Sequence, residues 1–139
     1  MKGTWIGTYQ HESKRIPEER RKERTKFKIN IIDFDGVHFS GEIEDEVESG
    51  GMQGVGKVEG KLNDNKITFI KMMPVQTVYM PDGTRTQLQN RHRNIYYSGI
   101  VSGDSIKGVW KLKFGVRLIN NKIAIYYPIK GNWEMRKKD

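Results

Sequence analysis

From Ser105 to Phe114 the chain reads Ser105-Ile-Lys-Gly-Val-Trp-Lys-Leu-Lys-Phe114, with a period of two. Ile106, Gly108, Trp110, Leu112 and Phe114 take one phase, and Lys107, Val109, Lys111 and Lys113 the other. Successive side chains of a strand point to opposite faces, so this stretch predicts a strand with one dry and one wet face. Its dry face alternates bulky and empty positions. The same rhythm returns in Gly3, Trp5, Gly7 and Tyr9, in Val37, Phe39, Gly41 and Ile43, in Gly56, Val58, Gly60 and Leu62, and in Gly131, Trp133 and Met135. Glycine weakens a flat strand, so its repeated use at inner positions fits a sharply coiled sheet with large rings lying across the gaps.

Strand follows strand through short turns. Asp35-Gly36, Asp64-Asn65, Gly103-Asp104 and Asn120-Asn121 are turn signals, because Gly and Asn tolerate positive φ. Lys26 to Phe34 alternates Phe27, Ile29 and Ile31 with polar residues, and Asp33 continues that inner phase. Glu46 to Gln53 reads as an acidic loop. Pro17-Glu-Glu has the chemistry of a helix start but no apolar stripe follows, so an exposed turn or loop is expected there. Val75 to Met80 and Thr84 to Gln89, joined by Pro81-Asp82-Gly83, predict an extra hairpin, a flap over one end of the sheet. No helical crossover interrupts the series. The expected fold is all-β: one domain over residues 1–139, an antiparallel up-and-down β-barrel of about eight strands with short hairpin insertions.

Gly3-x-Trp5, the meander of hairpins and the terminal Trp133-Glu-Met-Arg136 resemble the calycin group, which includes lipocalins, fatty-acid-binding proteins and avidins. The motifs Phe39-x-Gly41, Tyr97-x-Gly99 and Ile106-x-Gly108-x-Trp110 are closer still to small bacterial meander barrels of unassigned function. The resemblance implies that Trp5 and Trp133 plug the barrel, with Arg136 packing over the first-strand Trp. It also implies that basic residues near a barrel mouth hold acidic head groups. Avidins carry hydrogen-bonding Asn and Ser just after the first-strand Trp; here Ile6-Gly7-Thr8 stands in their place, which argues against biotin.

Charge and composition exclude more than they assign. The 139 residues carry a net charge of +8 and no cysteine, so thiolate metal sites, disulfides and a cysteine nucleophile are absent. His11, His38 and His92 are scattered without metal-ligand spacing, no Gly-x-Ser-x-Gly occurs, and no phosphate-binding glycine loop opens a helix. No metal, cofactor or catalytic residue is therefore assigned, and an enzymatic role is unsupported. No apolar run reaches membrane-spanning length and the first residues lead directly into a strand. A soluble, cytoplasmic protein without a membrane partner is expected, and the oligomeric state stays open.

Two sets of residues carry the functional expectation. Tyr9, Phe39, Phe69, Tyr97 and Trp110 share the inner phase, and either line a pocket for a small apolar or amphipathic ligand at one end of the barrel or simply fill the core. His11, Lys71 and Arg93 continue inner phases, where an unpartnered cation is costly. They either hold an anionic head group at one mouth or are exposed strand ends shifted by a bulge, and Asp33 is a candidate partner for one of them. The alternative is a module for an anionic partner such as nucleic acid. Lys107, Lys111 and Lys113 form an outer basic strip, with Arg91, His92 and Arg93 beside Tyr96. Single-strand binders need rings and cations on one face, whereas most rings here take the inner phase.

Overall fold

The fold follows the alternation, and in the computed structural model the strands close on themselves. Residues 1–14, 16–74, 76–79, 85–88 and 94–138 are described. Strand β1 (Gly3–His11) is followed by a helix α1 (Glu18–Lys22), β2 (Thr25–Phe34), β3 (His38–Asp45), a 3-10 turn (Val47–Ser49), β4 (Val55–Asn63) and β5 (Lys66–Met72). After the short strands β6 (Gln76–Tyr79) and β7 (Arg85–Leu88) come β8 (Ile95–Ser102) and β9 (Ser105–Leu112). A second small pair, β10 (Gly115–Ile119) and β11 (Lys122–Tyr126), precedes β12 (Ile129–Lys137). The order β1-β12-β9-β8-β5-β4-β3-β2 forms a closed eight-stranded barrel with antiparallel neighbours throughout, and β6–β7 and β10–β11 are separate two-stranded sheets. Both insertions leave the barrel at the end where β1 and β3 finish, β6–β7 after β5 and β10–β11 after β9.

Inside, the rings occupy the gaps left by glycine. Trp133 lies opposite Gly108, which lies opposite Gly99, so the indole covers two empty positions in one cross-strand row. A Cβ on Gly99 would stand 2.8 Å from the Trp133 ring. The indole Nε1 donates to the carbonyls of Ser98 and Val109 at 3.1 and 3.0 Å. Phe69 stacks on Tyr97 at 4.6 Å between centroids and meets Phe39 and Trp133 edge-on. Outside, Lys26, Lys28, Glu44, Lys57, Glu59 and Lys107 face water. Charged outside and apolar inside is the reverse of a transmembrane barrel. Among the described residues, no helix is long and apolar enough to cross a membrane.

Several local expectations change. Residues 18–22 form a helix despite lacking buried residues. The Gln10 side chain donates to the Arg21 carbonyl at 2.6 Å, so tertiary contact replaces the missing apolar stripe. A register shift between Ile31 and Asp33 turns Asp33 outward, where the Ser40 hydroxyl approaches it at 3.5 Å. Val37 lies in the turn before β3, where the Asp35 carboxylate accepts from the amides of Val37 and His38. Phe114 lies beyond the end of β9 and is 59% exposed, because the chain bends there into β10. The turn Asn120-Asn121 forms as expected, with φ of 50° and 63°. Pro81-Asp82-Gly83 lies outside the described residues.

Candidate functional site

Lys71 ends the inner phase of β5 after Ile67 and Phe69, and it is fully buried. Its ammonium donates to both Asp45 oxygens at 2.7 and 2.8 Å. Asp45 also accepts from the Tyr9 hydroxyl at 3.0 Å and the Met52 amide at 3.2 Å. The ammonium lies 4.9 Å from the Tyr9 ring centroid, so the pair has a π-face as well as hydrogen bonds. Burial pulls the Lys71 pKa down, and the Asp45 carboxylate works against that. Burial, then the charge of Asp45, pushes the Tyr9 hydroxyl well above its ordinary range. Lys71 is thus not an exposed strand end but one half of a sealed ion pair. Asp45, rather than Asp33, supplies the anion. Its signal was in the sequence: it continues the phase of Phe39, Gly41 and Ile43, but sits among the acids of the following loop.

That loop is tied to the start of β2 at this end of the barrel. The Thr25 hydroxyl donates to the Ser49 carbonyl at 2.8 Å, the Lys26 amide to the Ser49 hydroxyl at 3.0 Å, and the Glu46 amide to the Lys26 carbonyl at 2.8 Å. Met73 is fully buried beside it and Met52 packs on the core. His11 stands edge-on to Trp110, 5.0 Å between centroids, and its Nδ1 is buried with no hydrogen-bond partner among the described residues. Burial first, and the Arg20 cation second, lowers its pKa to about 4, so the imidazole is neutral near pH 7. Arg93 lies outside the described residues.

At the opposite end Trp5 donates its Nε1 to the Met1 carbonyl at 3.0 Å. Phe34, Leu62 and Val101 pack against the core from the strand ends around it. Trp133 lies deeper, against Phe69 and Tyr97. Arg136 is exposed and takes the outer phase, opposite to Trp133 and Met135, so it does not pack over Trp5 as the resemblance implied. The inner candidates Tyr9, Phe39, Phe69, Tyr97 and Trp110 are all buried and pack ring against ring.

Among the described residues a concave feature lies on the outside. A groove of about 1100 Å³ crosses β2, β3, β4, β5, β8 and β9. Its outward side chains fall in two cross-strand rows. One runs Asp33, Ser40, Glu59, Ile70, Tyr96, Lys111. The other runs His38, Lys61, Thr68, Ser98, Val109. Between them lies the backbone of the inward row Phe39, Gly60, Phe69, Tyr97 and Trp110. Gly60 sits between Phe39 and Phe69, where a Cβ would overlap the Phe69 side chain and backbone. Lacking one, β4 can press inward and deepen the outer face. The Lys113 ammonium lies 4.2 Å from the Tyr96 ring centroid.

No family model matches the chain, and no curated protein or solved structure matches it. The barrel therefore carries its own evidence. Among the described residues no three His, Cys, Asp or Glu side chains converge as a metal site would require. Sequence reasoning missed the groove, because its rows exist only once the strands are in register.

Proposed function

We propose that this protein is a non-enzymatic, calycin-like binding barrel that holds an elongated amphipathic small molecule in its outer groove. The single observation behind this reading is the groove's arrangement. Five inter-strand steps of about 4.8 Å give a curved path of roughly 24 Å around the barrel wall. Ile70 and Tyr96 lie in its middle, with Asp33 and Glu59 on one side and Lys111 at the far end. An apolar stretch with charged groups at either end suits a chain-like ligand with a polar terminus. The barrel interior supports the same choice of location, since its rings pack on one another. Lys71 is paired with Asp45 at 2.7 Å.

Native mass spectrometry of freshly purified protein, repeated after denaturation, tests the proposal alongside an Ile70→Glu variant. The expected result is a small-molecule adduct, or binding of added fatty acids or lysophospholipids, that Ile70→Glu abolishes. No adduct and no chemical-shift change at Ile70 or Tyr96 with those amphiphiles would overturn it.

A second reading, an anionic partner such as a single-stranded nucleic acid, is favoured by Tyr96 lying outward beside Lys111 and Lys113. Binding to a labelled oligonucleotide that weakens steeply with salt and falls with Tyr96→Ala would support it. Equal binding by the variant would remove it.

A further inference from the structure

The β10–β11 hairpin stands outside the barrel and shows water an apolar face. Val116 pairs with Ile125 and Leu118 with Ile123, so the four side chains share one side of the two-stranded sheet. Leu118 is 68% exposed and Ile123 74%. Phe114 and Tyr127, at the base, are exposed as well. Scattered exposed aliphatics are ordinary, whereas a contiguous face of them marks a contact.

The charge around this face says what covers it. From Lys111 to Lys130, within and beside the hairpin, the chain carries Lys111, Lys113, Arg117, Lys122 and Lys130 and no Asp or Glu, with Lys122 in the phase opposite to the apolar face. Two copies meeting through these faces would cover the aliphatic side chains but give Lys122, in the opposite phase, no anion. Nucleic acid would meet the cations, but Val116, Leu118, Ile123 and Ile125 offer no rings on which bases stack. An anionic bilayer surface satisfies both features: aliphatic side chains enter the acyl boundary while lysines reach the head groups.

We propose that the β10–β11 hairpin is a docking element for anionic phospholipid membranes. It lies flat at the interface, apolar face down. Its two open strand edges keep the contact shallow, because unpaired backbone groups are not tolerated in the hydrocarbon layer. This goes beyond the small-molecule reading and does not rest on it. It also departs from the expectation of no membrane partner, which rested on the lack of a spanning run and says nothing of surface contact.

The test is sedimentation with phosphatidylcholine vesicles, with and without about 30% phosphatidylserine, at about 0.1 M salt. Binding is expected only with phosphatidylserine. Each cation near the surface is worth roughly fivefold in partitioning, so Lys122→Glu/Lys130→Glu should weaken it by more than about tenfold. Leu118→Asp/Ile123→Asp should do the same without altering the barrel's unfolding transition. A Phe114→Trp reporter in the otherwise intact chain gives an independent readout. Its fluorescence should be quenched by lipids brominated near the head group more than by those brominated deep in the chain. Absence of binding to phosphatidylserine vesicles, binding indifferent to the Leu118 and Ile123 substitutions, or self-association through the hairpin instead would each overturn the proposal.

Discussion

Lys71 carries an ammonium group into a space that water does not reach. Its burial is tolerated because Asp45, equally buried, takes two of its hydrogen bonds, while Tyr9 and Met52 occupy the remaining acceptor capacity of the carboxylate. Removing one member of such a pair costs about 3–5 kcal/mol, whereas replacing both with apolar groups is often neutral. Lys71→Met and Asp45→Leu should therefore each lower the unfolding free energy by that amount, and the double variant should recover most of the loss. Urea denaturation of the four proteins measures the coupling, and simple additivity would rule out the sealed pair. His11 works through protonation instead. Its folded pKa of about 4 lies below the ordinary 6.5, so between those values the unfolded chain binds more protons. Stability should fall as pH drops from 6.5 towards 4, by on the order of 2–3 kcal/mol from this group. His11→Phe should flatten that part of the profile, read as the difference between the two proteins' urea midpoints.

At the scale of elements, the two hairpins differ from the strands around them in what they hold together. Among the described residues β10 and β11 pair only with each other, while Leu112 and Ile129 already face one another across the β9–β12 ladder. Replacing residues 113–128 with an Asn-Gly turn should leave the barrel closed, with its Tm moved by no more than about 4 °C. Circular dichroism with thermal melting checks this, and loss of the cooperative transition would show that the hairpin supports the barrel. The barrel strands were legible because alternation fixes both their type and their inner face. The shift at Ile31/Asp33 was not, since one extra residue reverses the phase without leaving a mark in composition. Helix α1 escaped for a related reason. What holds it, the Gln10 side chain on the Arg21 carbonyl, comes from another element, and no local pattern records it.

Across the whole molecule, the same division separates what a sequence shows from what it hides. The inner set Tyr9, Phe39, Phe69, Tyr97 and Trp110 was readable strand by strand, and so was the inner placement of Lys71. Its partner required knowing that β3 and β5 finish at the same end, and the groove required the register of six strands together. Closure has a further consequence, which lies in time. The last ladder joins β1 to β12, from Trp5 opposite Lys137 to His11 opposite Gly131. A chain emerging from the ribosome at about 5–20 residues per second leaves the outer edge of β1 unmatched for on the order of ten seconds. Until then the edge is open to any other strand that meets it. The seam that later removes every edge from the barrel is thus also its latest-arriving contact, and the interval before it forms is when the newborn chain is most exposed to mispairing.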